Sequence, residues 1–187
     1  LAWGLENILV SEIEDKRILE VGSLDVNGTL RDGIEKMKPS EYIGVDIEEG
    51  RGVNIICNAE NLVDKFGEES FDFVLSTCML EHVQDWKTCI SQIKYVCKRE
   101  GHILIIVPYL YPYHEYPNDF WRFSKSDLIY IFGDCEIIKL DHDYEINQDQ
   151  SPLSLIYLKC KKPRFFREAN LDNYNVRKME PPNAKGP

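Results

Sequence analysis

Short apolar segments alternate with helical patterns along most of this chain, and that alternation constrains its fold more than any other feature. The first five segments are nearly continuous apolar runs, as parallel strands covered on both faces require. Helical patterns between the segments predict right-handed crossovers, and the last two, which have no helical pattern between them, predict an antiparallel hairpin. The candidate strands are residues 17–22, 41–47, 53–57, 71–76, 102–107, 135–140 and 153–160.

Helix boundaries are marked by spacing and by capping residues. Apolar residues recur at three- and four-residue spacing over 86–97, and Asp85 is placed to cap that helix. A helix is also expected within residues 1–9, where leucines and isoleucines are spaced for one face. Two more helices open with patterns that resemble capping boxes with Asp in place of Glu: Thr29-x-x-Asp32 and Ser124-x-x-Asp127.

Length and charge limit the domain count and the class of partner. A chain of 187 residues is expected to form one domain, which we place at residues 1–160. The tail at residues 161–187 is polar and basic, and we expect it to be extended or mobile. Lys and Arg number 22 against 32 Asp and Glu, a net charge of -10, so we expect neither nucleic-acid nor membrane-surface binding.

Cysteine usage and hydropathy indicate the compartment. The six cysteines form no C-x-x-C pair, and their apolar surroundings are typical of reduced, buried thiols. No apolar run approaches the roughly 18–20 residues that span a bilayer, and no leader pattern is recognisable. We therefore expect a cytoplasmic protein.

Residues just after the strands are the candidates for chemistry, because open α/β sheets bind ligands beyond the carboxyl ends of their strands. After the first strand, Gly22 and Asn27-Gly28 allow a ligand to approach the backbone closely. The G-x-G-x-x-G spacing is missing, and Glu20 would repel a pyrophosphate, so a cationic or hydrogen-bond-donating ligand is favoured. Asp46 follows the second strand, where a carboxylate commonly accepts both ribose hydroxyls.

The ordered runs ILEVGSLDVNG, YIGVDI, CNAENL, FDFVLSTCMLEHV and GHILIIVP resemble the motifs of class I S-adenosylmethionine-dependent methyltransferases. The resemblance covers about residues 17–108, and a Leu-Glu-His-Val run with a Pro-x-Asp-Phe-Trp-Arg-Phe segment at 117–123 is similar to a small-molecule branch. It implies a single-domain Rossmann-like methyltransferase fold. That fold is a mostly parallel seven-stranded sheet with an antiparallel edge hairpin and helices on both faces.

The resemblance also implies S-adenosylmethionine as cofactor and a small-molecule acceptor, a sugar-type or other metabolite methylated on a hydroxyl or amine. Glu20 and its loop would hold the methionine part and Asp46 the ribose, while Ser76 and Thr77 would border the sulfonium. Ile47 would pack on the adenine, and Asn58, Ala59 and Glu60 would contact the edge of that base. The implied cofactor-binding residues are Glu20, Gly22, Ser23, Asn27, Gly28, Asp46, Ile47, Asn58, Ala59, Glu60, Ser76 and Thr77.

The acceptor side is expected near two histidines. His82 and His114 are candidate catalytic bases, because imidazole titrates near neutrality; His82 could instead only cap or pack the following helix. The aromatic-rich segment 108–123 can cover the cleft as a lid, or be a stiff connector in which Arg122 pairs with Asp119. The expected substrate-binding residues are Tyr113, His114, Tyr116, Asp119, Trp121 and Arg122.

A metal site and two other functions are alternatives to this interpretation. Some methyltransferases that act on RNA ends bind a divalent ion through Glu-x-x-Glu-His and a further histidine. Here Glu81-His82 is present, but Cys78 replaces the upstream Glu and is a poor substitute for it. His114 and Asp119 could complete a mixed site only if their loop folds over it, so we expect no metal. The competing functions are a non-catalytic S-adenosylmethionine-binding module or partner subunit, and a nucleotide-dependent oxidoreductase, which Glu20 disfavours.

Overall fold

The apolar runs form strands of one sheet in the structure, a computed structural model that describes residues 2–26, 28–114, 118–146 and 152–181. The strands are β1 (Arg17–Val21), β2 (Glu41–Asp46), β3 (Ile55–Ile56), β4 (Phe71–Thr77), β5 (Cys97–Leu110), β6 (Trp121–Arg122), β7 (Glu136–His142), β8 (Glu145–Ile146), β9 (Pro152–Lys161) and β10 (Arg177–Lys178). Neighbours in the eight-stranded sheet follow the order β3-β2-β1-β4-β5-β9-β7, and β8 pairs with β9. Strands β6 and β10 form a separate pair.

The predicted strand directions are confirmed. Strands β3, β2, β1, β4 and β5 run parallel, whereas β9 is antiparallel to both β5 and β7. All seven predicted strands lie in the sheet. The sequence pattern did not reveal β8 in this sheet or the separate pair β6 and β10, each of which is only two residues long. The fold is the expected Rossmann-like α/β sheet, with the antiparallel pair at one edge.

Helices cover both faces of the sheet, so consecutive strand residues enter different cores. Ile18 belongs to the core under the N-terminal helices, and Leu19 to the core under the later helices. Burial of both neighbours explains why the central strands have continuous apolar runs and not alternating ones. The helices are α1 (Ala2–Glu6), α2 (Arg31–Glu35), α3 (Leu62–Phe66), α4 (Trp86–Val96) and α5 (Lys125–Ile131), with short 3-10 turns at Val10–Glu12, Ala59–Asn61 and Leu80–His82.

Two of the three predicted helix caps are present. The side chain of Asp85 accepts a hydrogen bond from the Thr88 amide at 3.0 Å, and Ser124 forms a reciprocal capping box with Asp127. The predicted box at Thr29 is wrong, because α2 begins one residue later, after Leu30. The N-terminal helix is also shorter than expected and ends at Glu6. None of the helices in the described part of the chain has the length and apolar character that a bilayer crossing needs.

Strand β5 extends past Pro108, where the sequence suggested a stop. A proline lacks the amide hydrogen that a ladder needs. The pairing of β5 with β9 shifts its register between Pro108 and Leu110, which accommodates the missing donor. The carbonyl of Pro108 also accepts from the Phe123 amide at 3.3 Å, so this end of β5 is joined to the aromatic-rich segment.

Residues 162–181 are extended, but they pack on the domain and do not form a separate tail. Lys162 is buried and donates through Nζ to the Cys97 carbonyl at 2.8 Å. Leu171 and Val176 are buried in the core, and β10 pairs antiparallel with β6. The boundary placed at residue 160 therefore divides a continuous packed unit, because polar composition does not reveal these few anchoring residues.

A buried ion pair fixes the aromatic-rich segment. The guanidinium of Arg122, only 1% exposed, binds both carboxylate oxygens of Asp119, with Nη2 at 2.7 Å from Oδ2. It also donates to the carbonyls of Tyr111 at 3.2 Å, Pro112 at 2.9 Å and Trp121 at 2.8 Å. Every side-chain nitrogen of Arg122 donates a hydrogen bond to Asp119 or to a backbone carbonyl, so Arg122 is not directed at a ligand. This agrees with the alternative in which segment 108–123 is a stiff connector and Arg122 pairs with Asp119.

Removal of either side chain of the Arg122–Asp119 ion pair should therefore destabilise the protein. We expect Asp119→Ala to lower the free energy of unfolding by about 3–5 kcal/mol, because it leaves a buried guanidinium without its counter-charge. Urea denaturation monitored by circular dichroism measures the change. The control is Glu41→Ala, which breaks the exposed Arg17–Glu41 pair at 2.7 Å and should cost about 0–1 kcal/mol. Equal losses in the two variants would contradict a supporting role for the buried pair.

Candidate functional site

A cleft of about 470 Å³ opens at the carboxyl ends of the parallel strands. The order β3-β2-β1-β4-β5 reverses direction between β1 and β4, which is the point where open α/β sheets bind ligands. The cofactor-site candidates that line the cleft are Glu20, Gly22, Ser23, Gly28, Asp46, Ile47, Asn58, Ala59 and Thr77, and both candidate bases, His82 and His114, line it as well.

The loop after β1 is held tightly against its neighbours. Gly22 has a φ of 78°, and a Cβ added there would lie 2.4 Å from Cγ of Met79, so the position requires glycine. The amides of Gly22 and Ser23 both donate to the Val45 carbonyl, at 2.9 and 3.0 Å. The Ser23 hydroxyl packs where a Cβ on Gly44 would sit, at 2.6 Å. The loop backbone therefore forms one wall of the cleft.

Glu20 is a buried carboxyl group within β1. It accepts from the Tyr42 hydroxyl at 2.8 Å and from the Thr29 hydroxyl at 3.4 Å. Burial raises the pKa of Glu20 to about 7, and the Tyr42 hydrogen bond partly opposes that rise. Near neutral pH this group is therefore divided between its acid and carboxylate forms. A cationic ligand group placed beside it would favour the carboxylate.

Asp46 ends β2 with its carboxylate held by two backbone amides. Its Oδ2 accepts from the Leu24 amide at 3.0 Å, and its Oδ1 accepts from the Glu48 amide at 3.3 Å. Each carboxylate oxygen has a further lone pair that can accept a hydrogen bond from a ligand. The adjacent Ile47 is 57% exposed, so an apolar surface lies next to this acceptor group.

The polar residues after β3 are only partly available for a ligand. Asn58 lines the cleft, but its side-chain oxygen accepts from the Glu60 amide at 2.9 Å and caps the 3-10 turn. Ala59 also lines the cleft, whereas Glu60 does not. Cys57 is an additional lining residue that the sequence did not single out. The predicted base-edge contact is thus limited to what remains of the Asn58 amide and the local backbone.

Ser76 and Thr77, adjacent residues at the end of β4 that were both predicted to border the sulfonium, differ in their access to the cleft. Thr77 lines the cleft, whereas Ser76 is buried within the sheet and does not line it. Cys78 and Met79 line it instead, and Cys78 has a positive φ of 50°. Because successive side chains of a strand point to opposite faces, the sequence could have indicated that only one of Ser76 and Thr77 faces the cleft. No local pattern indicates the positive φ of Cys78.

Three titratable side chains meet at the opposite end of the cleft. Glu81 is 1% exposed, and among the described residues neither of its carboxyl oxygens has a hydrogen-bond partner. Burial raises the pKa of Glu81 to about 8 and lowers the pKa of His82. The ring of His82 meets that of His114 edge-to-face at a centroid distance of 5.2 Å. Sequence reasoning proposed both histidines for catalysis but did not include Glu81, although it precedes His82 directly.

Most of the predicted substrate residues lie away from the cleft. Asp119 and Arg122 are buried in their own ion pair, and Trp121 donates from its indole to the Val83 carbonyl at 2.8 Å. Tyr113 does not line the cleft either, whereas Tyr111, which was not predicted, does. Asn27 and Tyr116 lie outside the described residues. Of the predicted set, His114 is thus the described residue that reaches the cleft.

Comparisons with known proteins agree with this geometry. The sequence model of the family described as methyltransferase domain matches residues 19–105, slightly less than half of the chain. That segment contains β2, β3 and β4, most of β1 and the first part of β5. It therefore includes the loops after β1, β2 and β4 that form the walls of the cleft. No curated protein matches the chain.

Solved structures with the same architecture include methyltransferases and candidates for that activity. A candidate methyltransferase from Bacillus halodurans is 14% identical, with a TM-score of 0.67 over 86% of this chain and 98% of that one. A Burkholderia thailandensis 1,6-didemethyltoxoflavin-N1-methyltransferase, solved with 1,6-didemethyltoxoflavin and S-adenosylhomocysteine, is 15% identical, with a TM-score of 0.59 over 80% and 72%. A candidate methyltransferase from Haloferax volcanii, in complex with the Trm112 methyltransferase activator, is 15% identical, with a TM-score of 0.67 over 89% and 90%. At these identities the likeness shows the fold, which is the Rossmann-like methyltransferase fold.

Proposed function

We propose that this protein is an S-adenosylmethionine-dependent methyltransferase that acts on a hydroxyl or amine of a small molecule, a sugar-type or other metabolite. The observation that carries the proposal is the Asp46 carboxylate, which two backbone amides fix at the end of β2 beside the β1 loop. This carboxylate lies in the cleft at the reversal point of the sheet, inside the segment that matches the methyltransferase-domain family.

The chain's residues fit that cofactor at three places. Asp46 retains lone pairs that can accept from two ribose hydroxyls. Ile47 presents an exposed apolar side chain that a planar base can cover. Glu20 is a buried carboxyl group that would be stabilised as a carboxylate by an amino cation. The cleft volume of about 470 Å³ is also in the range typical of small-molecule sites.

The chain's contribution to the reaction is mainly alignment. When bound, S-adenosylmethionine supplies an activated methyl group on a sulfonium. Orientation of the acceptor against that group can contribute roughly 7–11 kcal/mol of barrier lowering. A hydroxyl or amine acceptor also has to release a proton, and the group formed by Glu81, His82 and His114 is where the described part of the chain can assist that release.

Two assays separate this function from the alternatives. Isotope-labelled methyl transfer from S-adenosylmethionine to members of a metabolite panel would support an enzyme. Cofactor binding without transfer to any acceptor would favour a non-catalytic module or a partner subunit. Thermal stabilisation by a nicotinamide dinucleotide but not by S-adenosylhomocysteine would instead support an oxidoreductase.

Substitution of Asp46 tests the cofactor site directly. We expect Asp46→Ala to weaken S-adenosylhomocysteine binding by about 1–3 kcal/mol, the usual scale for leaving polar partners unsatisfied. Isothermal titration calorimetry measures the change. Glu49→Ala is the matched control, since it removes the same charge from an exposed position on the same loop and should bind as the wild type does. An unchanged affinity in Asp46→Ala would remove this residue from the site.

Glu20 predicts a pH dependence of cofactor binding. Its ionised fraction rises as the pH passes its pKa of about 7, and the cationic amino group of S-adenosylhomocysteine prefers the ionised form. Affinity should therefore increase by about tenfold between about pH 6 and about pH 8. Calorimetry at the two pH values checks this, with Glu20→Gln as the comparison, in which the increase should disappear. A rise of equal size in both proteins would assign the titration to another group.

A further inference from the structure

We propose that Glu81, His82 and His114 form a binding site for a divalent transition-metal cation at the acceptor end of the cleft. Each side chain offers one ligand atom, and these atoms lie within 4.8 Å of one another. Ligands about 2 Å from a tetrahedral zinc ion are about 3.3 Å apart, so the three ligand atoms would move together by up to about 1.5 Å to hold one. All three residues line the cleft, which gives a cation a path of entry.

Glu81 is the observation that points to a missing partner. Its carboxyl group is buried, lines the cleft, and accepts no hydrogen bond from any described residue. A buried carboxyl group without a partner is unfavourable, and native structures rarely leave one in that state. The nearby guanidinium of Arg122 does not serve, because its nitrogens are bound to Asp119 and to backbone carbonyls. A cation would satisfy the Glu81 oxygens.

His82 is oriented as a metal ligand would be. Its Nδ1 contacts the Asn118 carbonyl oxygen, which can only accept, so Nδ1 carries the proton and Nε2 holds the lone pair. That Nε2 atom lies 3.7 Å from Oε1 of Glu81, too far for a hydrogen bond. Metal-binding histidines typically donate their other N–H to a carbonyl or carboxylate in this way.

The His114 imidazole is oriented by its Nδ1 atom in the same way as that of His82. Its Nδ1 lies 3.2 Å from the Pro112 carbonyl oxygen and 3.3 Å from Oδ2 of Asp119. Both are acceptors, so Nδ1 again carries the proton and leaves Nε2 for a ligand. Asp119 is itself fixed by Arg122, and it also accepts from the His114 amide at 2.8 Å. The ion pair that supports the aromatic-rich segment thus also orients the second imidazole.

The donor set indicates the class of cation. Two imidazole nitrogens and one carboxylate suit zinc, cobalt, iron or nickel, whereas magnesium and calcium prefer oxygen ligands. Three protein ligands leave further coordination positions for solvent or an acceptor hydroxyl. The expectation of no metal rested on Cys78 as a poor ligand and on a loop that would have to fold over the site. The fold brings His114 from that loop to Glu81 and His82, and the group does not include Cys78.

The use of this cation in methyl transfer rests on the proposed function, although the site itself does not. A hydroxyl bound to a divalent cation loses its proton more readily than a free one. In that role His82 and His114 are ligands and not bases. The acceptor class that follows is a small molecule whose methylated hydroxyl can coordinate a metal.

Calorimetric titration of the metal-free full chain with Zn²⁺ tests the site. We expect saturable one-to-one binding, weakened by at least about tenfold in each of Glu81→Gln, His82→Gln and His114→Gln. His102→Gln is the matched control, because His102 also lies beside a glutamate, at 3.4 Å, and its 19% side-chain exposure equals that of His82 within one per cent. It should bind Zn²⁺ as the wild type does. Co²⁺ absorption spectra report whether nitrogen ligands are lost in the same variants.

Either of two results would overturn the proposal: a wild type that does not bind Zn²⁺ in this titration, or three variants that bind it as tightly as the control. The His114 side chain is 36% exposed, so His114→Gln tests the site even if a buried variant fails to fold. S-adenosylhomocysteine affinity is measured separately in each protein. A wild type that binds Zn²⁺ but not S-adenosylhomocysteine would defeat the proposed function and leave the cation site standing.

Discussion

Burial of the central strands on both faces is the constraint on which the rest of this structure depends. Side chains of β1 and β4 enter one hydrophobic core or the other, so polar groups are placed mainly where the strands end. Asp46 and the loop that contains Gly22 follow this rule and meet at the reversal of strand order. Glu20 departs from this rule, since it lies inside β1 and depends on Tyr42 and Thr29 for hydrogen bonds.

The two ends of the cleft are built differently. The end proposed for the cofactor consists of loops that directly follow β1, β2 and β3, and its hydrogen bonds connect neighbouring strand ends. The other end joins Glu81 and His82, just after β4, with His114 from the segment after β5. The Asp119–Arg122 ion pair holds that segment in place through backbone carbonyls. One end therefore depends on hydrogen bonds between neighbouring strand ends, and the other depends on a buried ion pair.

The sequence predicted local features well and long-range contacts poorly. Apolar runs located the strands because burial on two faces leaves a direct trace in composition, and the cap at Ser124 was visible because its partner, Asp127, is three residues away. The pairing of Arg122 with Asp119 was one of two open alternatives, because the sequence could not show that Arg122 also binds carbonyls ten and eleven residues earlier in the chain. Glu81 was considered only within a metal motif that was set aside, because sequence does not reveal that its carboxyl group will be buried without a partner among the described residues.

The pairing of β10 with β6 connects the chain's last described strand to the part of the molecule that holds His82 and His114. The amide of Met179 donates to the Phe120 carbonyl at 2.7 Å, next to the residues that orient His114. Truncation at residue 160, the boundary suggested by composition, would remove the pairing of β10 with β6 together with the buried Leu171 and Val176. The C-terminal segment therefore supports the residues that orient His114, and detaching it, for example by proteolytic nicking, would loosen the His114 imidazole.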